Sequence, residues 1–310
     1  NPNNPLNIVA GSILNRTHVS NDGGKTWESD YLTSSHGVYG DPVVRISPKG
    51  HVFYAHLSNP TGQAYSSVEF LDRIVVQRSD DGGQTFTDGT YPNNDRTKDQ
   101  DKQWMYLDPT TGYLLMSWTE FDKYGDDDPK CKSRILFSIS KDNGQTWEPT
   151  VTLSNVEGNC VDDDLTTEGA VPVMDREGHI YVTWAYDDKI FLDKSTDGGK
   201  TWLDKDLVIA KQFQGWTLDI PGINRCNGMP ILGVDQSAGP HQGTLYLNWS
   251  DQKNGEDDTD IWLVKSTDGG STWSDRIKVN NDDSRKHQFF SWMDIDPKTG
   301  YIYIVFYDRR

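Results

Sequence analysis

The sequence predicts an all-β chain made of repeated four-stranded antiparallel units, and three observations carry that prediction. One octapeptide occurs five times, a pair of strand-like segments precedes the third strand of each hairpin, and every apolar run is short and rich in aromatic residues. A search for internal repeats is therefore the step that fixes the fold.

The octapeptide reads Ser-x-Asp-x-Gly-x-Thr-aromatic. It stands at residues 20–27, 79–86, 140–147, 195–202 and 266–273, so that copies begin 55 to 71 residues apart. Its chemistry is that of a turn: the Asp side chain accepts bonds from the N–H groups that follow, Gly takes the positive φ of the reversal, and Thr with the aromatic opens the next strand. Calcium is a weaker reading of the same motif, because one carboxylate per turn is far from the 6–8 oxygen ligands that calcium takes.

The second repeat gives the other strands. Gly40-Asp-Pro-Val-Val-Arg-Ile is followed by 51–56, Asp101-Lys-Gln-Trp-Met-Tyr-Leu by 113–119, and Gly169-Ala-Val-Pro-Val-Met by 179–185. Gly228-Met-Pro-Ile-Leu-Gly-Val is followed by 244–250, and Phe290-Ser-Trp-Met-Asp-Ile by 301–307. Turns such as Pro48-Lys-Gly, Pro109-Thr-Thr-Gly and Pro297-Lys-Thr-Gly separate the members. An apolar inner strand, an aromatic-rich second strand, a third such as 73–79, the Asp turn and a fourth beginning at Thr-Trp make the blade of a β-propeller. One propeller domain over 1–310 is the expectation.

Composition narrows the function. The chain has 47 acids against 30 bases, a formal charge of −17, and no Lys/Arg-rich run, which speaks against a nucleic-acid partner. Its apolar runs are strand-sized, far from the roughly 20 residues of a spanning helix, so no membrane insertion is expected. The 10 Phe, 11 Trp and 14 Tyr supply the burial that disordered chains lack.

The octapeptides resemble the Asp boxes of the sialidase or BNR-repeat superfamily, which occupy the turn between third and fourth strands. The resemblance covers nearly the whole chain and implies six blades. The chain starts on a second strand, 7–14, and stops after one, so its first and last blades are incomplete; a five-bladed ring in which the N-terminal strands pair with the last two is the alternative.

Alternating strand direction places the starts of inner strands and the ends of second strands on one face, the central mouth. Asp41, Asp101, Lys102, Glu168, Arg225, Asn227, His287 and Gln288 fall at or just before inner-strand starts. His56, Glu120, Asp122, Asp187, Asp251, Asp308 and Arg309 fall at second-strand ends, and Arg73 enters a third strand there. Tyr39, Trp104, Trp184, Trp249, Trp292 and Tyr307 add ring faces, and such a rim suits a sugar. Trp118, Trp184 and Trp249 also recur at one blade position, which favours interblade core.

Catalytic sialidases clamp a substrate carboxylate with three arginines and use a Tyr nucleophile, assisted by a Glu, with an Asp as acid/base. The resemblance implies Arg73, Arg225 and Arg309 for the clamp, Asp41 for the acid/base, and Tyr307 for the nucleophile with Glu120 or Glu168 assisting. Lys102, Trp104, Asn227, Gln288 and Trp292 complete the substrate-binding set. The family's Arg-Ile-Pro signature belongs on the inner strand of the first blade; here Arg45-Ile-Ser lies inside the second blade. The structural alternative pairs Arg225 and Arg309 with Asp308 or the acidic loops, and packs Tyr307 against its sheet.

Asp162-Asp-Asp164, Glu256-Asp-Asp-Thr-Asp260 and Asp126-Asp-Asp128 are dense in hard oxygen donors. Asp162, Asp163, Asp164, Asp257, Asp258 and Asp260 are the candidate calcium ligands. No cofactor is required, and no His/Cys spacing supports zinc. Cys131, Cys160 and Cys226 all fall in mouth-side loops; a Cys160–Cys226 bond is expected, with Cys131–Cys160 next.

The expected function is a sialidase-like, exo-acting glycoside hydrolase on an anionic or decorated glycan. The alternatives are a non-catalytic propeller that binds glycan or protein, and a propeller polysaccharide lyase relying on Lys102, His287 and Tyr39. No leader precedes Asn1, which fits either a cytosolic chain or one whose secretion signal has been removed. The second is the expectation: a secreted or cell-surface protein of bacterial origin.

Overall fold

In a computed structural model, which describes residues 1–92 and 95–310, the five Asp boxes are one structure built five times. Asp22 Oδ1 accepts the N–H groups of Lys25 and Thr26, both at 2.9 Å, while Oδ2 accepts the Thr26 hydroxyl at 2.7 Å. Ser20 Oγ donates to Asp22 Oδ1 and accepts the Gly24 N–H, both at 2.8 Å. The same bonds to Thr recur around Asp81, Asp142, Asp197 and Asp268. Gly23 and Gly24 stand at φ 77° and 88°, left-handed backbone that a side chain would strain.

These turns set a protein of strands with one 3-10 turn, Ala64–Ser66. The chain divides into two compact units, residues 1–124 with 136–152 and residues 125–135 with 153–310. The first unit carries β1 (Ile8–Ser12), β2 (Arg16–Ser20) and β3 (Glu28–Tyr31) in one sheet, and β4 (Val43–Ile46), β5 (Val52–Leu57) and β6 (Ile74–Ser79) in another. Its third sheet is β7 (Asp99–Leu107), β8 (Leu114–Phe121), β9 (Ser133–Ser140, of which Leu136 onward belongs here) and β10 (Val151–Thr152). The core of this unit gathers Phe53, Leu57, Phe70, Ile74, Met105, Met116 and Trp118.

The second unit holds β11 (Glu168–Met174), β12 (Ile180–Tyr186), β13 (Lys189–Ser195) and β14 (Leu207–Lys211) in one four-stranded sheet. A second such sheet is β15 (Ile231–Val234), β16 (Leu245–Asp251), β17 (Asp260–Ser266) and β18 (Ile277–Lys278), and β19 (Gln288–Ile295) pairs with β20 (Ile302–Asp308) alone. All neighbours are antiparallel, so hairpin connections suffice throughout. Among the described residues none of these sheets closes on itself. Trp118, Trp184 and Trp249, the recurrent second-strand tryptophans, are at most 1% exposed and belong to the core.

A box glycine also meets the sheet before its own. A methyl group added to Gly83 would come within 2.9 Å of Val9, one added to Gly144 within 3.5 Å of Phe53, and one added to Gly270 within 3.3 Å of Leu192. Each bare turn thus seats on the preceding sheet of its unit.

The inner strands share a device that periodicity does not show. β7, β11 and β19 each carry a β-bulge near their start, at 101/104, 168/171 and 289/292. Lys102, Gly169 and Phe290 stand there in left-handed conformation, at φ 52°, 71° and 51°. A bulge adds one residue to the strand and re-aims the side chains around it.

The cysteine expectation needs correction. The disulfide joins Cys131 to Cys160, with Cα atoms 5.7 Å apart, and leaves Cys226 as a buried thiol. The segment after β10 folds back on the loop before β9, where Ser133 and Gly158 exchange N–H···O bonds of 3.0 and 2.9 Å. Cys226 instead packs with Leu218, Ile220 and Phe289, and burial pushes its thiol up to about 12.

Two predictions follow from these features. The hydrogen bonds from Thr26, Lys25 and Ser20 hold the Asp22 carboxyl at about 2, and Asp268 at about 2 through its Thr272 hydroxyl in the same way. In Asp81, also about 2, partial burial acts upward and the box bonds outweigh it. A carboxyl held below its unfolded value stabilises the fold above that value, near 4, and the contribution is lost as pH falls toward about 2. Melting temperature should therefore drop between about pH 4 and pH 2, and Asp142→Ala, which removes the box bonds to two N–H groups and two hydroxyls, should cost about 2 kcal/mol at neutral pH. In non-reducing peptide mapping the 131 and 160 peptides should migrate as one, and Cys226 should resist alkylation until the protein is unfolded.

Candidate functional site

Four connections meet at one end of the two four-stranded sheets of the second unit: residues 153–167, the turn Asp187–Asp188, residues 212–230 and residues 252–259. They frame a cleft of about 370 Å³ lined by Asp164, Asp188, Gln214, Trp216, Thr217, Asp219 and Glu256. The chain reaches that geometry through backbone that only a few residue types accept readily. Asp162, Asp187, Asp188 and Gln214 are all left-handed, at φ 63°, 51°, 54° and 54°. Non-glycine residues in that region cost energy and gather at sites where position matters more than stability.

Short polar bonds fix each wall. Asp188 donates its N–H to Asp164 Oδ1 at 3.1 Å, and Asp187 donates its own to the Asp164 carbonyl at 2.8 Å. Gln214 N–H reaches Asp188 Oδ1 at 3.1 Å, which ties the third connection to the second. Asp163 organises its own loop by accepting from Asn159 Nδ2 at 2.9 Å and Leu165 N–H at 2.8 Å. On the far wall the buried Gln252 donates through Nε2 to the carbonyls of Asp219 and Glu256, at 3.2 and 2.9 Å.

Trp216, 8% exposed, donates its indole N–H to the Asp162 carbonyl at 2.8 Å, and Arg225 lies over its ring at 5.5 Å. The Arg225 guanidinium also pairs with Asp162 at 2.7 Å. Burial raises the Asp164 carboxyl above its ordinary range, and Asp188, Asp187 and Asp163 add like-charge repulsion. The cleft therefore holds one carboxyl, Asp164, whose proton is held more tightly than an exposed aspartate holds its own.

The residues implied by the resemblance distribute over both units. Asp41, Arg73, Lys102, Trp104 and Glu120 lie in the first; Glu168, Arg225, Asn227, Gln288, Trp292, Tyr307 and Arg309 lie in the second. Arg73 is buried against Asp72 and donates to His36 Nδ1 at 3.2 Å, with the Tyr91 ring 4.9 Å away. Glu120, also buried, accepts from Gln100 at 3.3 Å and pairs with Lys98 at 3.4 Å. Asp41 is exposed and gives its carbonyl to Gln103. Trp104 packs on the core of its unit with Arg45 over it at 5.4 Å, and Lys102 caps the bulge by donating its N–H to Asp101.

In the second unit Glu168 is fully buried at the start of β11, opposite Ala185. Tyr307 is exposed and stacks on Phe289 at 5.7 Å. Arg309 donates to the Pro221 carbonyl, and Gln288 donates to Asp308 at 3.1 Å while accepting from Asn280 at 2.9 Å. Trp292 packs beside Met293 and Ile231, and Asn227 is half-buried next to Cys226.

The candidate calcium ligands are drawn into other bonds. Asp257 pairs with Arg285, Asp260 accepts from Asn280 at 2.7 Å and from Asn254, and Asp258 is buried beside it with a carboxyl raised by burial and by Asp260. Among the described residues three metal-type ligand atoms converge at one place, Asp175, Glu177 and His179, in the turn after β11 and so at the other end of the sheet from the cleft. There Asp175 closes its own turn, accepting from the His179 N–H at 2.9 Å and the Tyr181 hydroxyl at 3.1 Å.

Sequence reasoning found Asp164 and quoted Glu256, but it missed Asp188, Gln214, Trp216, Thr217 and Asp219. The last four lie in the connection from β14 to β15. Its one signal was the length of that connection, residues 212–230, against tight turns such as 108–113 and 175–179.

Comparison with protein families matches the BNR/Asp-box repeat at residues 18–29 and 138–149. No curated protein matches. Among solved structures the chain is similar to the NanB sialidase of Streptococcus pneumoniae, at 12% identity over 77% of this chain and 51% of that one, with a TM-score of 0.50. It therefore spans about half the length of that enzyme. It is also similar to an intramolecular trans-sialidase from Ruminococcus gnavus, at 12% identity over 80% and 72% of the two chains with a TM-score of 0.51. A Penicillium chrysogenum α-L-arabinanase complexed with arabinobiose matches at 14% identity over 94% and 80%, with a TM-score of 0.55. The repeated turns at residues 18–29 and 138–149 are thus BNR/Asp-box repeats, and the fold is similar to that of these sialidases and of the arabinanase.

Proposed function

We propose that this protein is a glycan-acting hydrolase whose sugar lies in the cleft of the second unit. One observation carries the reading: four carboxylates, Asp164, Asp188, Asp219 and Glu256, surround about 370 Å³ of open space with one indole, Trp216. Hydrolysis of a glycosidic bond takes a protonated carboxylic acid at the leaving oxygen and an ionised partner that attacks the sugar or activates water. Asp164, raised by burial and its acidic neighbours, is suited to the first role. Asp219 or Glu256, from the far wall, is suited to the second.

The charge of the cleft favours a neutral or amino-bearing sugar over an acidic one, because carboxylates repel a substrate carboxylate at short range. The arginines support the same direction. Arg73 is committed to Asp72, Arg225 to Asp162 and Arg309 to a backbone carbonyl. The fold likeness to an arabinanase complexed with arabinobiose supports a neutral glycan as readily as the sialidases support an acidic one. The disulfide supports a secreted or cell-surface location, where such bonds persist. A non-catalytic glycan-binding protein is the second reading, favoured by the same local pairing of arginines.

A panel of neutral, amino-bearing and sialylated glycans, read by release of reducing sugar, tests the proposal. Release from the neutral or amino-bearing members should fall about 10²- to 10⁴-fold in Asp164→Asn, with Trp216→Ala weakening binding. Release of sialic acid that is lost in Arg225→Ala and unchanged in Asp164→Asn would replace this reading with the arginine-clamp one. Binding without release by the unaltered protein would make it a binding module.

A further inference from the structure

Two acids in the second unit have no place in the cleft and, among the described residues, no ion-pair partner. Asp193 lies on β13 at 1% exposure and Asp206 just before β14 at 7%. Asp193 Oδ1 accepts the N–H groups of Lys194 and Leu203, at 2.7 and 3.0 Å, while its Oδ2 has no hydrogen-bond partner. Asp206 Oδ2 accepts the Asn155 N–H at 2.7 Å, and its Oδ1 likewise has none. A buried carboxylate left in that state is costly, and the usual escape is to keep a proton.

Comparison between sheets supports that escape. Asp193 stands two residues before the box serine, where β2 has His18, β6 has Gln77, β9 has Ser138 and β17 has Val264, none of them acidic. Gln77 and Ser138 each donate to the carbonyl of the residue after the box aromatic, Thr87 and Glu148. A carboxyl at this position matches those donors only when it carries a hydrogen.

The cations nearby are turned elsewhere or exposed. On β13 itself the Lys194 ammonium is turned to the Gly269 carbonyl at 3.0 Å. Val182, opposite Asp193 on β12, is uncharged, and the connection to β14 brings the exposed Asp204 and Lys205. From the segment after β10 comes Asn155, with Glu157 beyond it held by Arg134 at 3.1 Å. Among the described residues no Lys, Arg or His forms an ion pair with either acid.

Asp206 is also one half of a clasp. Its N–H donates to Asn155 Oδ1 at 2.8 Å, returning the bond that Asn155 gives it, so the start of β14 is tied to the connection that carries Asp162, Asp163 and Asp164. We infer that Asp193 and Asp206 form a proton-holding lock, which anchors the cleft connection to β14 in mildly acidic surroundings and loosens as they become neutral. Burial pushes Asp193 up to about 7, with the Asp206 charge adding to it, and Asp206 up to about 6. A group whose folded value is raised contributes stability below its unfolded value, near 4, and loses it as pH rises through the folded one. The lock stands whether or not the cleft takes a glycan.

Hydrogen exchange of the full chain tests it. After correction for intrinsic rates, opening of residues 155–167 and of β13–β14 should rise at least tenfold between about pH 5 and about pH 8, since each unit of pKa displacement is worth tenfold. Asp193→Gln and Asp206→Asn, which imitate the uncharged sheets, should each reduce that rise, and the double variant should flatten it. An unaltered protein with no rise, or a double variant that keeps the full rise, overturns the lock. Carboxyl NMR of the unaltered protein decides the matter even where a variant fails to fold: titration of Asp193 and Asp206 above about 5 supports it, and titration near 4 overturns it.

Discussion

The structure depends on a carboxylate that accepts four bonds from its own turn. Asp22 and its four counterparts satisfy backbone N–H groups that a tight reversal would otherwise leave to water, and they do so with an ionised acceptor, the stronger kind. Because this interaction is local, it forms the same way wherever the octapeptide occurs. The strands on either side are then held in antiparallel register, and their aromatic residues meet as core. Remove the carboxylate and the hairpin loses the element that fixes where its fourth strand begins.

That locality explains what could be read in advance. The five turns and the strand pairs before them were legible because each follows from residues within one unit of sequence. The bulges at Lys102, Gly169 and Phe290 were not, since they answer to how an inner strand meets its partner rather than to its pattern. The disulfide was misassigned because Cys160 was placed by its distance from an inner strand. Its actual neighbour is set by the fold-back of residues 153–160 onto the loop before β9. The cleft was half legible: Asp164 stood out in an acid-rich run, while Trp216 and Asp219 sat in the long connection from β14 to β15.

The excess of acid, read first as a bulk charge of −17, separates into three environments. Box aspartates are held low by hydrogen bonds, Asp164 is raised by burial among like charges, and Asp193 and Asp206 are raised by burial alone or nearly so. The first group favours the folded chain above about pH 4, and the contribution of the last is full below about pH 4 and is lost as pH rises toward about 7.

The bare box glycines give the repeats a direction. Gly83 rests on Val9, Gly144 on Phe53 and Gly270 on Leu192, in each case a residue of the sheet before. A lesion in one sheet therefore removes the seat of the turn that follows it, while the turn that precedes it keeps its own. Repeats of this kind are alike in sequence but not interchangeable in order: transplanted or duplicated, a unit would need a predecessor with the right aliphatic or aromatic floor before its own hairpin could settle.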